Sequence, residues 1–401
     1  MAPDPIALLK DGTAEVVPEG GLEEKLALGR PLRVKLGIDP TAADVTLGWA
    51  VVLHKLRQFQ DAGHIAVLIV GDFTARVGDP SGKSETRPRL DKGVVKGYAE
   101  RLLEQFGLIL SDERLEVRYN SEWLEGMDME GILRLTSSYT VAQMLQRDDF
   151  ANRYADGRPI SIMEFMYPLF QGYDSVAVEA DIELGGTDQL FNLLVGRELQ
   201  RAWGQEPQIA VTTPLIEGLD GVQKMSQSLG NYVGITDRPD EMFGKLMRIP
   251  DELIGKYLRL VAWIPSDEAA RIEASLTGGS SKPNDQKRAM ARMVVDLYHG
   301  PGAGARAEEA FNRVHRDREL PEEIQDVPIP EGAADDGVVW LPRLLVALDL
   351  ASSNGDARRR IEQGGVKLDD QPVTDPAYEA RREELAGKVL QVGRRWFGRL
   401  A

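Results

Sequence analysis

The 401-residue sequence contains no cysteine. This absence excludes disulfide bonds, cysteine-ligated zinc, iron–sulfur clusters and catalysis by a thiol. Histidine is scarce as well, and the four histidines do not cluster along the chain: His54, His64, His299 and His315. None of them lies near a serine and an acidic residue in a catalytic pattern. A hydrolytic triad and a histidine-rich metal site therefore have little support, and we expect no metal-binding residues.

Long apolar segments are also missing. No run of apolar residues approaches the ~20 residues that a membrane-spanning helix needs. The N-terminal sequence MAPDPIALLKDG has neither the basic segment nor the long apolar segment of a secretory signal peptide. We therefore expect a soluble, cytoplasmic protein with no membrane partner.

Two nucleotide-binding signatures are absent. No G-x-G-x-x-G motif follows the first predicted strand, which argues against a dinucleotide-dependent dehydrogenase. The loop GDPSGKS, from Gly78 to Ser84, has Val77 where a P-loop requires its first glycine. The loop is therefore not a P-loop.

Basic residues are outnumbered, since 48 Lys and Arg face 64 Asp and Glu, which leaves a net charge of −16. Taken as a whole-chain value, this charge argues against a nucleic-acid partner. The segment from Trp340 to the end, however, has 11 basic and 9 acidic residues, so it carries +2 while residues 1–339 carry −18. Six of its nine arginines lie in two small groups: Arg358, Arg359 and Arg360, and Arg394, Arg395 and Arg399. These groups indicate either phosphate contacts or a solvated arginine surface.

The first 230 residues show the alternation of an α/β fold. A strand is predicted over Pro31–Ile38, a helix from Thr46 to about Asp61 and a buried strand over Ile65–Gly71. Strand, helix and strand in about 40 residues form a βαβ unit with parallel strands. Helices around 94–106 and 192–202 and strands at 115–120 and 209–213 continue the pattern.

The length suggests two or three domains. We predict a doubly wound, Rossmann-like parallel-sheet domain over residues 1–232 and an α-helical domain over 233–319. A linker rich in proline, glycine and acidic residues follows at 320–339. A small α+β domain over 340–401 completes the chain.

Five segments carry polar residues suited to a ligand site. The loop from Gly37 to Trp49 joins a strand to a helix start, where phosphate can bind, although it could equally be a simple connection. Asp79 follows a buried strand and is either a partner for an ammonium group or a turn cap. Helical spacing places three side chains of YPLFQGYD on one face, as a buried network or a polar-lined pocket: Tyr167, Gln171 and Asp174. LGGTDQ follows with Gly186, Asp188 and Gln189. GVQKMSQSLGN carries Lys224 in a glycine-bounded loop, which is either a surface turn or a mobile phosphate-binding loop.

The last of these segments resembles a known motif. Lys224-Met225-Ser226-Gln227-Ser228 is similar to the KMSKS loop of class I aminoacyl-tRNA synthetases, and the first loop lies where that class carries its HIGH motif. YPLFQGYD, LGGTDQ and GDPSG together resemble the bacterial tyrosyl-tRNA synthetases. The C-terminal segment LPRLLVALDLASSNGDARRRIEQGGVKLDDQPV resembles an S4-like RNA-binding domain.

The resemblance implies a role for each matching residue. Asp79, Tyr167 and Gln171 would hold the α-ammonium group of tyrosine, Gln189 would lie near its carboxylate, and Asp174 would accept a hydrogen bond from its phenol. The implied ATP-binding residues are Asp39, Gly48, Trp49, Gly186, Asp188, Lys224, Met225, Ser226 and Ser228. Thr46, Lys224 and Gln227 stand at the catalytic motif positions, and Arg358, Arg359 and Arg360 would bind RNA.

The resemblance also implies the reaction and the partners. Tyrosine would react with ATP to form tyrosyl-adenylate and pyrophosphate, and the tyrosyl group would then pass to the 3′ end of tRNA(Tyr). Mg²⁺ would accompany ATP and pyrophosphate, and no protein-bound zinc is expected. Residues 233–319 would be an anticodon-binding domain, and the protein would be a homodimer.

Three positions depart from the family pattern. The HIGH-like sequence is Thr46-Leu47-Gly48-Trp49, so both histidines are missing, and Gln227 replaces the second lysine of KMSKS. Lys35 stands where many members have a tyrosine that faces the phenol. Two alternatives to an active tyrosine enzyme follow: an RNA-binding or regulatory paralogue with impaired ATP activation, and a tryptophanyl enzyme.

Overall fold

The computed structural model describes residues 5–79, 91–313, 324–393 and 396–401. Part of the GDPSGKS loop, from Pro80 to Ser84, lies outside the described residues, as do His315, Leu320, Arg394 and Arg395. The chain divides into two compact units, an N-terminal unit over Met1–Gly304 and a C-terminal unit over Ala305–Ala401. Among the described residues, no helix is both long enough and apolar enough to cross a membrane.

A six-stranded sheet forms the centre of the N-terminal unit. Its strands are β1 Glu15–Val17, β2 Arg33–Ile38, β3 Ile65–Val70, β4 Leu115–Tyr119, β5 Ile182–Gly186 and β6 Ile209–Thr213. The spatial order is β1-β6-β5-β2-β3-β4, with β1 antiparallel to β6 and all other neighbours parallel. This arrangement confirms the predicted doubly wound parallel sheet.

Helices surround and follow the sheet. They are α1 Pro5–Lys10, α2 Gly21–Leu26, α3 Leu47–Asp61, α4 Thr74–Val77, α5 Lys92–Phe106, α6 Ser121–Leu124, α7 Met129–Ser137, α8 Val141–Met144, α9 Asp148–Ala155, α10 Ile162–Ala177, α11 Leu190–Ala202, α12 Pro239–Leu246, α13 Ile254–Leu260, α14 Ser266–Thr277, α15 Pro283–His299 and α16 Ala303–Asn312, which crosses the boundary between the units. The described residues from 239 to 312 are helical apart from their connections, as expected for this part of the chain.

Local sequence explains the elements that frame the site. Thr46 caps α3, because its hydroxyl accepts a hydrogen bond from the Trp49 amide at 3.3 Å. Ser161 and Glu164 form a capping box at the start of α10. Further along α10, a Cβ on Gly172 would lie only 3.1 Å from the backbone nitrogen of Gly196 in α11. The two helices can pack closely because both positions lack a side chain.

The C-terminal unit has its own apolar core. Its strands are β7 Asp326–Val327, β8 Ala334–Asp335, β9 Val338–Trp340, β10 Val366–Leu368, β11 Gln371–Pro372, β12 Glu379–Arg381, β13 Val389–Val392 and β14 Trp396–Leu400. Its remaining helices are α17 Leu341–Ala347, α18 Asn354–Glu362 and α19 Arg382–Leu385. The predicted pair of short helices and the β-pair around 366–373 are confirmed.

Within the expected linker at 320–339, the described residues 324–339 differ from an unstructured connection. β7 pairs with β14, and β8 and β9 pair with each other. Ile329 and Ala333 are buried in the core of the C-terminal unit. Prolines and acidic residues surround these short strands in the sequence, so their few apolar residues were too isolated to indicate a packed segment.

Candidate active site

An opening lies above the centre of the large sheet. β2 pairs with β3 on one side and β5 on the other, and ligands bind beyond the carboxyl ends of strands where the order reverses in this way. Gly37, in β2, is exposed although its neighbours Lys35 and Leu36 are buried, and no atom lies within 4 Å of where its Cβ would be. The strand therefore leaves space for a ligand beside α10.

Asp39 follows β2 at the rim of this opening. Its carboxylate accepts hydrogen bonds from the Thr74 hydroxyl at 2.7 Å and from the Tyr167 hydroxyl at 3.0 Å. Burial raises the pKa of Asp39 to about 7, and the nearby charge of Asp79 acts in the same direction. Gly71 gives room for this carboxylate, because a Cβ there would lie 2.0 Å from Asp39 Oδ1.

Asp174, one turn further along α10 from Gln171, is a buried acceptor. It receives hydrogen bonds from Trp123 Nε1 at 2.8 Å and from Asn120 Nδ2 at 3.3 Å. Burial raises the pKa of Asp174 to about 7, against the lowering effect of Lys35. Sequence reasoning missed Asn120 and Trp123, although Asn120 directly follows a parallel strand, the position from which side chains reach such a site.

Asp79, Gln171 and Gln189 are connected by hydrogen bonds. Gln189 Nε2 donates to Asp79 Oδ2 at 3.0 Å. Asn192 Nδ2 donates to Gln171 Oε1 and to Gln189 Oε1, both at 3.0 Å. Arg147, in the turn between α8 and α9, contacts Asp79 Oδ1 at 3.4 Å. Arg147 and Asn192 were also missed, because Arg147 lies in the charged run RDDF, which is typical of a solvated helix face.

Lys35 does not take the place of a phenol-binding hydroxyl. Its side chain is fully buried, and its ammonium group donates to the Gln171 carbonyl, Ser175 Oγ and Glu183 Oε1 at 2.8–2.9 Å. The three donors of an ammonium group are thus all used, and the Glu183 carboxylate neutralises the charge. Lys35 holds β2, β5 and α10 together beneath the opening.

The loop 221–231 lies against the start of α3. Met225 is buried, and its Cβ lies 3.5 Å from where a Cβ on Gly48 would be. The Gln227 side chain donates to the Asp44 carbonyl. The loop is therefore in van der Waals range of Gly48, the one residue of the HIGH-like sequence that matches the family.

Lys224 reaches the end of β5. Its ammonium group is half exposed and lies 2.8 Å from Asp188 Oδ2. Asp188 is in turn close to Gly186, where a Cβ would lie 2.7 Å from Asp188 Oδ1. The hydroxyls of Ser226 and Ser228 lie 2.9 Å apart in the same loop. Asp39 and Asp188 therefore lie just beyond the ends of β2 and β5, with the lysine loop beside Asp188. Asp79 does not directly follow a strand as expected, because α4 separates it from β3.

Comparison with known proteins agrees with this geometry. The family model for class I tRNA synthetases (W and Y) matches residues 27–316. The tyrosine–tRNA ligase of Moorella thermoacetica is 51% identical over 399 residues, which cover 98% of this chain and 95% of that protein. The chain belongs to the tyrosyl-tRNA synthetase family. The enzyme of the same name from Thermotoga maritima is 46% identical over 396 residues and covers 99% of this chain and 97% of its own length.

Solved tyrosyl-tRNA synthetases share the fold. The C-terminally truncated mitochondrial protein of Aspergillus nidulans has a TM-score of 0.64 at 21% identity, covering 78% of this chain and 94% of its own. The Archaeoglobus fulgidus protein, solved in complex with L-tyrosine, has a TM-score of 0.62 at 22% identity, covering 76% and 98%. The S4 domain model matches residues 339–385, within the C-terminal unit.

The three predicted RNA-binding arginines are exposed on α18 of this S4 domain. The Arg358 guanidinium lies 5.8 Å from the ring centre of Trp340, while Arg359 and Arg360 pair with Asp356 at 3.9 and 3.1 Å. Exposed ion pairs of this kind are weak, so the arginines can exchange Asp356 for another anion.

Proposed function

We propose that this chain is an active tyrosine–tRNA ligase that activates L-tyrosine with ATP and transfers it to tRNA(Tyr). The proposal is supported most by one observation: hydrogen bonds connect most of the predicted tyrosine-binding residues. Tyr167 donates to Asp39, Gln189 donates to Asp79, and Gln171 and Gln189 share Asn192, while Asp174 is a buried acceptor on α10. Family membership over nearly the whole chain supports the same function.

The proposed chemistry needs charge stabilisation more than proton transfer. The tyrosine carboxylate is already ionised, so it can attack the α-phosphorus of ATP, and the bond to pyrophosphate breaks as the acyl bond forms. Lys224 would stabilise the negative charge that develops on the phosphates, leaving Asp188 to contact the ribose. The adenylate then esterifies a hydroxyl of the terminal tRNA ribose, and AMP leaves. Mg²⁺ would enter with ATP as part of the substrate and lower the charge of the pyrophosphate.

Tyrosine-dependent ATP–pyrophosphate exchange tests this proposal against the regulatory-paralogue alternative. Purified protein should exchange label only when tyrosine is present, and tryptophan should not replace it. Exchange no greater than that of a Lys224→Ala variant would contradict the enzyme proposal. Exchange driven by tryptophan would favour the tryptophanyl alternative.

Gln227→Lys should raise the rate of tyrosyl-adenylate formation. The substitution restores a cation beside the proposed phosphate site, where each added positive charge stabilises the transition state. Single-turnover adenylate formation measures the rate directly, and Gln227→Met is the matched variant that loses the amide without gaining charge. An equal rate in the lysine variant and the wild type would mean that other groups already supply the charge.

Tyrosine affinity should rise about tenfold between pH 6 and pH 8. Asp174 has a pKa of about 7, so it is mostly protonated at the lower pH and mostly ionised at the higher. The ionised form is the better acceptor for the phenol of tyrosine. Calorimetric titration across this range measures the effect, and Asp174→Asn should flatten the profile. A pH-independent affinity in the wild-type protein would contradict this role.

We propose a homodimer because one sequence segment, from α7 to the start of α10, is rich in exposed apolar residues. Residues 129–162 carry five strongly exposed apolar side chains: Met129, Leu133, Val141, Tyr154 and Ile162, which are 61–81% exposed. Exposed apolar side chains of this kind are typical of interaction surfaces when they form a contiguous patch. Sedimentation velocity should show a dimer that Leu133→Glu weakens. Leu108→Glu should not weaken it, because Leu108 is an exposed leucine outside the segment, with 53% exposure against 62% for Leu133.

The S4 domain is proposed to contact tRNA through Arg358, Arg359 and Arg360, and residues 233–319 to approach the anticodon. A protein with these substrates would work in the cytoplasm. Charge reversal of Arg358 and Arg359 should weaken tRNA binding and reduce its dependence on salt, since fewer phosphate counterions are released. Unchanged salt dependence in a filter-binding titration would contradict the assignment.

A further inference from the structure

A closed ring of hydrogen bonds lies beside the proposed tyrosine site. Arg147 donates to Asn192 Oδ1 at 3.2 Å and contacts Asp79 Oδ1 at 3.4 Å. Asn192 Nδ2 donates to Gln189 Oε1 at 3.0 Å, and Gln189 Nε2 donates to Asp79 Oδ2 at 3.0 Å. The contact between Arg147 and Asp79, the two charged members, therefore closes the ring.

The chemistry of its two charged members gives the ring one direction. A guanidinium can only donate hydrogen bonds and an ionised carboxylate can only accept them, whereas an amide side chain can point either way. Because Arg147 faces Asn192, the Asn192 oxygen must face Arg147 and its NH₂ group must face the two glutamines. The oxygens of Gln171 and Gln189 are then turned toward Asn192, and the Gln189 NH₂ group is turned toward Asp79.

Arg147 is held firmly enough to impose this direction. Its side chain is only 7% exposed, and its Nε atom lies 2.8 Å from Asp149 Oδ1. The guanidinium carbon is 5.2 Å from the Phe150 ring centre and 6.0 Å from that of Phe191. Asn192 is 1% exposed. A buried group with two ion pairs and two aromatic contacts has little freedom to turn, so Asn192, the amide that it contacts directly, adapts to it. Gln171 takes the same direction because its Nε2 atom also donates to Glu183 Oε1 at 3.4 Å.

We propose that Arg147 is a positioning residue for recognition of the substrate α-ammonium group, acting through the direction of this ring on Asp79 and Gln171. This inference rests on the proposed function, since it assumes that tyrosine binds above Gly37. The turn between α8 and α9, which carries Arg147, would then contribute to substrate selection, although it lies outside the sequence motifs of the site.

Binding of three ligands to full-length protein tests the inference by calorimetric titration. L-tyrosine has both charged groups, tyramine keeps the ammonium, and 3-(4-hydroxyphenyl)propionate keeps only the carboxylate. In Arg147→Met, the ratio of tyramine affinity to propionate affinity should fall about tenfold, the effect expected from misdirecting a charged hydrogen-bond site. Arg147→Lys, which retains a charged group that can only donate, should recover part of the loss.

Arg153→Met is the matched control. Arg153 is a buried arginine on α9 whose described hydrogen-bond partners, the Glu164 carboxylate and the Pro159 carbonyl, do not belong to the ring. Its loss should leave the affinity ratio unchanged. Both affinities are measured on one preparation, so a smaller folded fraction changes them equally and leaves their ratio unchanged. Arg147→Lys gives a second test if the methionine variant folds poorly.

The outcomes separate the two proposals. Failure of the wild-type protein to bind tyrosine would overturn the proposed function, and the inference with it. Tyrosine binding by the wild type with an unchanged ratio in Arg147→Met would overturn the inference alone. Equal losses for tyramine and the propionate would mean a general structural role. A gain in tyramine affinity would mean that Arg147 merely repels the ammonium.

Discussion

Replacing Lys224 by alanine should lower tyrosine-dependent ATP–pyrophosphate exchange by about two to three orders of magnitude. Lys224 is the cation of the loop 221–231, and it already reaches Asp188 at the end of β5. A group that contacts the phosphates mainly in the transition state has a large effect on the rate and a much smaller effect on the affinity for substrate. The expected result is therefore a large fall in kcat with a small change in KM for ATP.

Lys10→Ala provides the matched control for Lys224→Ala. Lys10 is another half-exposed lysine, paired with Glu23 at 2.7 Å, and it lies outside the site. Its removal should leave exchange unchanged. A Lys224→Ala rate within threefold of the wild type would contradict the phosphate role, whereas Lys224→Arg should retain part of the activity because the charge remains.

Replacing Asp174 by alanine should reduce the preference for tyrosine over phenylalanine by about 100-fold. The buried Asp174 carboxylate has lone pairs beyond those used by Trp123 and Asn120, and the proposed phenol hydroxyl would use one of them. Phenylalanine leaves that acceptor unpaired in a buried site, which costs about 1–3 kcal/mol or more for a charged group. Without the carboxylate this penalty disappears.

The preference is measured as the ratio of kcat/KM values for the two amino acids in one preparation. A loss of folded protein lowers both values equally, so the ratio reports only recognition. Trp123→Phe is the control, since it removes a donor to Asp174 but retains the acceptor. An unchanged preference for tyrosine over phenylalanine in Asp174→Ala would mean that another group recognises the phenol.

The sheet could be predicted because its strands carry strong local signals. Ile65–Val70 is a continuous apolar run bounded by glycines, and α3 has apolar residues at helical spacing after a capping threonine. Such patterns depend on burial and backbone geometry within a few residues. The short strands of the segment 326–340 lacked these signals, and their structure comes from pairing with distant partners such as β14.

The site was predictable only where a residue lies on a recognisable motif. Asp79, Tyr167, Gln171 and Gln189 stand in such segments, and the structure connects Asp79 to Gln189 and Gln171 to Asn192. Arg147 lies 68 residues from Asp79 in sequence and forms part of a charged run. Nothing local distinguishes such an arginine from a solvated one, because its neighbours include Phe191 and Asn192 of α11, which are distant in sequence.

The amino-acid sequence by itself determined the parallel α/β architecture, the family resemblance and the residue types available for tyrosine and phosphate. Periodicity and motif spacing are short-range properties, so they can be read without a fold. Only the tertiary structure decided that Lys35 pairs with Glu183 beneath the opening and that Arg147 directs the amides beside it. Both outcomes depend on which buried charges meet across separate elements, since a charge removed from water must find its partner in three dimensions.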